Sequence, residues 1–433
     1  MIQQPHIVII GAGFAGLACA KALGNAPARV TVIDRTNYHL FVPLLYQVAT
    51  AALSPADIAR PIRRILGRYK NIDVLLANVT GIETATRVVK TDAGTVGPYD
   101  RLVIATGSLY SYFGHPQWMA FAKGPRSLED ARAIRTQLLT AFEHADSAAN
   151  PAERDRLMTV VVVGGGPTGV EMAGSVAELA RHALARDFRH IDPRRARILL
   201  IEAAPRLLAS FPQSLADYAK KELTRLGVTV MLGHPVENVT AEGASVGGQM
   251  IAAGTLIWGA GIEAAPGVKT LGVPLDRVGR VAVGPDLSVP GLAGVYVLGD
   301  SALALDEHGQ PFPALAQVAA QQGDYVGRAL AAQARGKPLP KPFRFHNRGN
   351  TAIIGRNAAV FDFGRWHLKG RLAWFLWAFV HIYLLVGFEN RLQVVAHWLW
   401  SYLTYERGAR LIMPDAESVE RNQPFVSSGS GRS

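Results

Sequence analysis

Short apolar runs that end in glycine or in an acidic residue recur along the chain. Two of them, at 7–10 and 160–163, lead directly into glycine-rich turns that are followed by helical spacing of apolar residues. A strand buried on both faces of a parallel sheet has this continuous apolar pattern. Further strands are predicted at 29–33, 99–107, 197–201, 255–261 and 295–300. Strands that alternate with helices indicate an α/β fold.

Both turns have the spacing Gly-x-Gly-x-x-Gly, formed by Gly11, Gly13, Gly16, Gly164, Gly166 and Gly169. Such glycines let the backbone turn tightly and approach a pyrophosphate, which then lies at the N-terminus of the helix. Pro167 suits the first helical position, where its missing N–H loses no hydrogen bond. One such motif alone is compatible with a purely structural turn. Its repetition favours two dinucleotide sites.

An acidic residue ends the second strand of each unit. Asp34 lies 18 residues after Gly16, and Glu202 lies 33 residues after Gly169. An acid about 20 residues past the glycines binds a ribose hydroxyl in dinucleotide-binding folds. Asp34 alone is also compatible with a turn. The longer interval before Glu202 predicts a solvent-exposed, arginine-rich extension at 181–197.

The order of elements in the first unit is repeated in the middle of the chain, which indicates an internal duplication with the second copy inserted in the first. We therefore predict two Rossmann-like dinucleotide-binding domains. Residues 1–112 and 286–345 form the first, residues 113–285 form the second, and residues 346–433 form a C-terminal segment.

Three further segments have candidate side chains. The aromatic loop 37–50 is either part of the core or a wall against the flat ring of a cofactor. The segment 54–66 is predicted as one helix capped by Ser54. The strand 295–300 ends in Asp300, which either binds a ligand or forms a common turn. In the helix predicted at 314–330, Gln317 and Gln321 lie on one face. This face is either directed into a site or simply solvated.

The C-terminal segment differs in character from the rest. Residues 372–388 form a run of seventeen without formal charge, five of the seven tryptophans lie within 366–400, and a second amphipathic stretch covers 392–405. Seventeen residues, interrupted by His381, is at the lower limit for crossing a bilayer. Aromatic helices flanked by basic residues lie in the membrane interface. The pattern favours an amphipathic helical membrane anchor, with a dimer interface or a spanning helix as alternatives.

Composition narrows the function further. The formal charge of +11 suits an anionic membrane surface, whereas no lysine-rich or basic–aromatic tract indicates nucleic acid binding. The single cysteine, Cys19, excludes an intramolecular disulfide, a CxxC redox pair and an all-cysteine iron–sulfur cluster, and it is predicted to be a buried thiol. We expect no metal site. The first strand begins at once, so we expect no signal peptide. The tail after residue 423 is predicted to be disordered.

The chain resembles the type II NADH dehydrogenases, which are single-subunit NADH:quinone oxidoreductases that do not pump protons. The segments that carry the resemblance are 11–16, 38–50, 99–107, 164–171, 295–300, 316–322 and 387–412. These segments are distributed along nearly the whole chain, so the resemblance extends over almost all of it. The glycine motifs are typical of the flavoprotein superfamily with two dinucleotide-binding domains, and the last two segments are typical of the family.

The resemblance implies ligands for each site. Non-covalent FAD would contact Gly11, Ala12, Gly13, Phe14, Ala15, Gly16, Asp34, Arg35, Val79, Thr106, Gly107, Asp300, Ala316, Gln317 and Val318. NADH, as the substrate, would contact Gly164, Gly166, Pro167, Thr168, Gly169, Glu171, Glu202 and Gly261. The membrane quinone would contact Tyr46, Gln317 and Gln321. An acid at Glu202 favours NADH over NADPH, although Arg206 lies nearby.

Glu171 and Gln317 are the predicted catalytic residues. Glu171 matches a family glutamate near the nicotinamide and the flavin, but it is also compatible with a glutamate that stabilises the first turn of a helix. Some family members have a histidine where this chain has Ala320, so the resemblance supplies no proton donor at that position.

The predicted activity is oxidation of NADH through FAD, with reduction of a quinone at the cytoplasmic face of the cell membrane, by a monomer or a homodimer. Sulfide:quinone oxidoreductase is excluded because it needs reactive cysteines. The remaining alternative is an NAD(P)H-dependent flavoprotein reductase or redox sensor that acts on a protein partner.

Overall fold

The computed structural model describes residues 4–385, 388–404 and 406–412. Its centre consists of two five-stranded parallel sheets. In spatial order, the first sheet contains Val295–Val297, Arg101–Ile104, His6–Ile10, Arg29–Asp34 and Ile72–Leu76. The second contains Ala122–Lys123, Thr255–Trp258, Thr159–Val163, Arg197–Glu202 and Val228–Leu232. This confirms the predicted α/β fold.

The central strands are apolar because both of their faces are covered. Every residue of His6–Ile10 and of Thr159–Val163 is buried. The chain completes the second sheet before Val295–Val297 returns to the edge of the first. The exact domain limits remain a prediction.

Helices cover the sheets and join the strands. The helix Phe14–Ala22 follows the first glycine turn, and Pro167–Glu178 follows the second; we call them the first and second glycine helices. The glutamine helix is Ala316–Ala334. The other α-helices outside the C-terminal segment are Leu45–Ala49, Pro55–Ile58, Ile62–Leu66, Leu128–Ser147, Pro151–Leu157 and Gln213–Arg225. Short 3-10 turns are Val42–Leu44, Pro116–Ala120, Leu184–Arg186, Pro193–Arg195, Pro266–Leu271 and Gly299–Ser301.

Small antiparallel sheets complete each unit. The three-stranded sheets are Val79–Glu83 with Val88–Thr91 and Gly94–Val96, Val236–Val239 with Gly243–Val246 and Gln249–Ala252, and Asn350–Gly355 with Ala358–Asp362 and His367–Gly370. The two-stranded pairs are Tyr38–Leu40 with Ala59–Pro61, Ser108–Tyr110 with Ile262–Ala264, and Val281–Ala282 with the parallel Ala302–Leu303.

The glutamine helix lies against the first glycine helix at very short range. A Cβ at Gly323 would collide with the carbonyl oxygen of Ala15, and one at Gly327 would come within 2.5 Å of the carbonyl oxygen of Cys19. Glycine is therefore required for this packing. Cys19 is fully buried in the contact, as predicted.

The prediction of a single helix at 54–66 is wrong. The helix Pro55–Ile58 begins with the expected capping box of Ser54 and Asp57, but an extended strand, Ala59–Pro61, follows it. Pro61 explains the break, because a proline disfavours helical backbone in the residue before it. The strand then pairs with Tyr38–Leu40.

The predicted extension at 181–197 is only partly exposed. The second glycine helix passes into a π-helical turn, Leu179–Ala183, and most of the arginines beyond it lie at the surface. Leu184 and Ile191, however, are buried in the core. The segment is therefore packed rather than purely solvated.

The C-terminal segment begins with the sheet 350–370, which packs on the second glycine helix. A Cβ at Gly174 would collide with the carbonyl oxygen of Ile354, so helix and sheet touch through their backbones. Two helices follow, Arg371–Leu384 and Phe388–Thr404. The run 372–388 is thus not one continuous helix, because the backbone becomes extended at Leu385.

His381, which interrupts the apolar run in sequence, belongs to the core. Its ring stacks on Trp377, with the ring centroids 4.3 Å apart, and its Nδ1 lies 2.8 Å from the carbonyl oxygen of Trp377. Burial lowers the pKa of His381 to about 4, so the ring is neutral at pH 7. Within the described residues, none of the helices has the length and apolar character needed to cross a bilayer. The tail after residue 423 lies outside the described residues.

Candidate active site

The first glycine turn connects the central strand of the first sheet to its helix. Gly11 has a φ of +94°, and its N–H donates to the carbonyl oxygen of Ile33 at 2.8 Å. A Cβ at Gly13 would meet nothing within 4 Å, whereas one at Gly16 would collide with the carbonyl oxygen of Gly11. The turn therefore presents bare backbone to an open space at the N-terminus of a helix, which suits a pyrophosphate.

The second turn repeats this geometry. Gly164 has a φ of +103° and donates to the carbonyl oxygen of Ile201 at 2.8 Å. The space at Gly166 is open, and a Cβ at Gly169 would collide with the carbonyl oxygen of Gly164. Pro167 is the first residue of the helix, as the sequence predicted. The chain thus contains two matching cradles.

The predicted ribose acids lie directly beside these cradles. Asp34 Oδ2 accepts a hydrogen bond from the Ala12 N–H at 2.6 Å, and Glu202 Oε2 accepts one from the Gly165 N–H at 2.5 Å. The other Glu202 oxygen accepts from the Ala204 N–H at 2.7 Å. Each carboxylate is therefore held in a fixed position at the end of its strand.

Asp300 lies in a cluster with two other predicted residues of the first site. Its Oδ2 accepts from the Ser108 hydroxyl at 2.6 Å and from Arg126 at 2.9 Å. The hydroxyl of Ser301 donates to the carbonyl oxygen of Gly107 at 2.7 Å and lies 3.0 Å from the Thr106 hydroxyl.

Sequence reasoning missed Arg126, which lies in a loop without a recognisable motif. Its positive charge beside Asp300 balances the carboxylate. The glutamine helix is tied to the same place, because Gln322 Oε1 accepts from the Gly299 N–H at 2.7 Å. Ala316, Gln317 and Val318 begin this helix.

Four other predicted ligand contacts lie outside these hydrogen-bonded clusters. Arg35 is exposed, Val79 is half-buried, and Phe14 packs edge-on against the rings of His39 and Phe41. Gly261 has a φ of +69° and lies against the ring of Phe113.

A cavity of about 110 Å³ lies between the second glycine helix, the helix Leu45–Ala49 and the C-terminal segment. Its lining includes Tyr46, Gln47, Glu171, Ser175, Glu178, Ile353, Trp398, Tyr402 and Arg407. In the aromatic segment 37–50, Phe41, Leu44 and Leu45 are core residues, while Tyr46 borders the cavity; the role of the segment as a wall against a flat ring stays a prediction.

Glu171 is half-buried at the edge of the cavity and has little to stabilise its charge. Burial raises the pKa of Glu171 to about 8, and a long hydrogen bond of 3.5 Å from the Ile353 N–H opposes this shift. The carboxyl is therefore largely protonated at neutral pH. A perturbed carboxyl in a cavity is typical of a functional site.

Gln317 and Gln321 do not line this cavity. Gln317 donates to the carbonyl oxygen of Gly349 at 3.1 Å, and Gln321 donates to that of His346 at 3.0 Å. Both side-chain oxygens also accept backbone N–H groups, from Arg348 and His346. The structure thus brings Tyr46 and Glu171 together, while the two amides bind the chain that leads into the C-terminal sheet.

Residues 5–323 match the family model of the pyridine nucleotide-disulphide oxidoreductases. The chain is 39% identical to the type II NADH:quinone oxidoreductase Ndh of Mycobacterium tuberculosis, over 97% of this chain and 93% of that protein. It is 40% identical to NdhA of the same organism, over 94% of this chain and 89% of that protein. The chain belongs to the type II NADH:quinone oxidoreductase family.

The fold agrees with this family. The structure of NDH2 from Plasmodium falciparum in complex with NADH superposes with a TM-score of 0.85, over 95% of this chain and 100% of that chain, at 21% identity. Type II NADH:quinone oxidoreductases are FAD-dependent and use NADH as substrate. The two cradles fit this requirement, because each leaves bare backbone and one fixed carboxylate for a dinucleotide.

Arg407, which sequence reasoning did not single out, connects the C-terminal segment of this family member to the cavity. Its buried guanidinium donates to the Thr50 carbonyl oxygen at 2.8 Å and to the Ser175 hydroxyl at 3.2 Å, and it lies 3.3 Å from Glu178 Oε2. Removing one partner of such a buried pair leaves an uncompensated charge. The cavity wall therefore depends on residues far apart in sequence.

Glu171→Gln should make the protein more stable at alkaline pH. The carboxyl has a pKa near 8 in the folded state but about 4.3 when unfolded, so ionisation progressively favours the unfolded state as the pH rises from about 4.3 to 8. Glutamine does not titrate and keeps an oxygen for the Ile353 N–H. The melting temperature should exceed that of the parent by several degrees at pH 8.5 and by much less at pH 5.5.

The exposed Glu263→Gln is the matched control and should leave the melting temperature unchanged at both pH values. A Glu171→Gln variant whose advantage does not grow with pH would contradict the assignment of a buried, protonated carboxyl.

Proposed function

We propose that this protein oxidises NADH with non-covalently bound FAD and transfers two electrons to a membrane quinone. The observation that carries this proposal is the presence of two dinucleotide cradles, with a separate cavity bordered by Tyr46 and Glu171. The helix that begins at the second cradle also contributes Glu171 to that cavity. Electron donor and acceptor sites are thus adjacent.

The first cradle would hold FAD. The open backbone at Gly13 would lie against the pyrophosphate, Asp34 would bind the adenosine ribose, and Asp300, balanced by Arg126, would bind the ribityl–phosphate region. When bound, FAD supplies the chemistry of accepting a hydride and passing on two electrons. The protein supplies binding, orientation and charge.

The second cradle would hold NADH, with Glu202 on the adenosine ribose. A carboxylate accepts hydrogen bonds from a 2′-hydroxyl but repels a 2′-phosphate. The nearby Arg206 donates to Gln213 Oε1 at 3.0 Å and to the carbonyl oxygen of Ala209, so its guanidinium is held by neutral acceptors on its own loop and on the helix that follows. We therefore infer a preference for NADH over NADPH.

The cavity beside Glu171 would accept the quinone head group. Quinone oxygens need hydrogen-bond donors and, on reduction, protons. The hydroxyl of Tyr46 and the protonated carboxyl of Glu171 supply donors, and the indole rings of the C-terminal helices supply flat apolar surface. Gln317 and Gln321 remain predictions for this site and would have to release the 346–349 backbone to reach it.

The C-terminal helices would attach the enzyme to the cytoplasmic face of the cell membrane. Large apolar side chains are exposed along both helices, among them Leu372, Phe375, Phe379, Leu399 and Leu403. Arg365, Lys369 and Arg371 lie just before them, and each basic residue near an anionic surface contributes about 1 kcal/mol. We infer a monotopic attachment, which brings the cavity close to the quinone pool. A homodimer formed through this face is the alternative.

An anaerobic titration of the purified protein with NADH, followed by a water-soluble quinone, tests the activity. NADH should bleach the flavin absorbance, and the quinone should restore it. Restoration by ferricyanide but by no quinone would contradict the quinone assignment and favour a protein acceptor. Purified protein without flavin would contradict the assignment of the first cradle.

Glu202→Ala should raise KM for NADH by about tenfold, because a hydrogen bond to a charged group contributes about 1.5–3 kcal/mol. The ratio of kcat/KM for NADH over NADPH should fall as well, since the repulsion of the 2′-phosphate is lost. Steady-state kinetics with both nucleotides measures the change. Glu237→Ala, remote from the second cradle, should leave the ratio unaltered; an unaltered ratio in Glu202→Ala would refute the ribose role.

Phe379→Asp should weaken membrane binding by tenfold or more, because burial of a phenylalanine side chain contributes about 1.5–3 kcal/mol. Co-sedimentation with anionic phospholipid vesicles measures the binding. Met250→Asp, at an exposed apolar position on the second unit, is the matched control and should bind like the parent. A change in oligomeric state without a change in vesicle binding would instead identify this face as a dimer interface.

A further inference from the structure

Three hydrogen-bonded side chains lead from the helix Phe388–Thr404 to the cavity beside Glu171. The indole Nε1–H of Trp398 donates to Gln47 Oε1 at 2.8 Å, and Gln47 Nε2–H donates to the hydroxyl oxygen of Tyr46 at 2.8 Å. Gln47 and Tyr46 are 7% and 5% exposed. All three residues border the same cavity. A residue of the C-terminal helix is thus connected to the phenol of Tyr46 through one amide.

The hydrogen bonds from Trp398 through Gln47 to Tyr46 can run in only one direction. An indole N–H can donate but cannot accept, so Trp398 must face the oxygen of the Gln47 amide. The NH₂ group of Gln47 must then face Tyr46, whose oxygen accepts. The hydrogen of the Tyr46 hydroxyl consequently points away from Gln47. Within the part of the chain that the structure describes, the Tyr46 hydroxyl donates to no other group, so its proton remains available to a molecule in the cavity.

The surroundings of Tyr46 keep that proton in place until a substrate takes it. Burial, followed by the nearby Glu171, raises the pKa of Tyr46 well above its usual value. The hydroxyl is therefore protonated at neutral pH. The buried guanidinium of Arg407 has the opposite influence, since its positive charge favours the anion that forms once the proton has left.

We propose that Tyr46 donates a proton to the bound quinone and that Trp398, acting through Gln47, is the positioning residue that directs the hydroxyl. This inference rests on the proposed function. Reduction of a quinone to a quinol requires two electrons and two protons. The hydride of NADH accounts for both electrons and one proton. The other proton leaves the Tyr46 oxygen as a new O–H bond forms on a quinone oxygen, and the tyrosinate regains a proton from water.

Tyr46→Phe removes the hydroxyl and keeps the ring. Because general acid catalysis contributes about 10²–10⁴-fold, kcat with a saturating short-chain quinone in detergent should fall about 100-fold or more. Reduction of ferricyanide, which accepts electrons without protons, should stay within about twofold. Calorimetry with a redox-inert quinone analogue should show a Kd raised by only about fivefold, the effect of one lost hydrogen bond, since the cavity keeps its shape.

Trp398→Phe tests the positioning role, because it removes only the indole N–H and some ring area. One hydrogen bond corresponds to about a fivefold effect, so kcat with quinone should fall by about that factor while analogue binding is retained. Trp400→Phe is the matched control: this tryptophan lies on the same helix, but its indole donates to Glu406 outside the cavity, and kcat should be unchanged. Gln47→Met, which breaks the chain in the middle, should behave like Trp398→Phe.

The possible results distinguish a failure of the proton-donor and positioning roles from a failure of the proposed function. A Tyr46→Phe enzyme with the parental kcat for quinone would overturn the proton donor, as would one that only loses analogue binding and keeps kcat at saturation. Equal kcat values for Trp398→Phe, Gln47→Met and Trp400→Phe would overturn the positioning role. A wild-type protein that reduces ferricyanide but no quinone would instead refute the proposed function itself.

Discussion

Both dinucleotide cradles depend on a single contact between a carboxylate and a backbone N–H. Asp34 binds the N–H of Ala12 and Glu202 binds that of Gly165, so the end of the second strand holds the turn that follows the first. The third glycine of each motif then lets the helix press against the turn. Strand, turn and helix are thereby fixed relative to one another in each cradle. A carboxylate placed in this way is satisfied before any ligand arrives and has lone pairs left for a ribose.

The features that sequence reasoning found are those encoded locally. Apolar runs, the Gly-x-Gly-x-x-Gly spacing and the terminal acids lie within short segments, and they were sufficient for the α/β fold and for the positions of both cradles. The contacts that it missed join distant segments. Arg126 meets Asp300 across 174 residues, and Arg407 meets Ser175 across 232. Arg126 lies in no motif, Arg407 lies in the family-typical segment 387–412 without being marked by it, and no local pattern indicates that a surface-type side chain will be buried.

One helix prediction was wrong for a local physical reason. At 54–66 the Ser54 cap suggested one helix, but the backbone restriction before Pro61 ended it. In the run 372–388, the sequence showed His381 only as an interruption of an apolar stretch. The structure ends the helix of this run at Leu384 and uses His381 as a neutral core ring stacked on Trp377. The aromatic composition indicated a surface-seeking helix. It did not show which of the helix's side chains, such as Trp377 and His381, pack into the core.

The second glycine helix reaches from one half of the reaction to the other. Its twelve residues, Pro167–Glu178, extend about 18 Å. One end forms the nucleotide cradle, Glu171 borders the cavity, and Glu178 pairs with Arg407 of the C-terminal segment. Gly174 presses its backbone against Ile354 and leaves the helix no room to slide. The C-terminal sheet and the turn at the start of this helix are therefore held at a fixed separation by one rigid element.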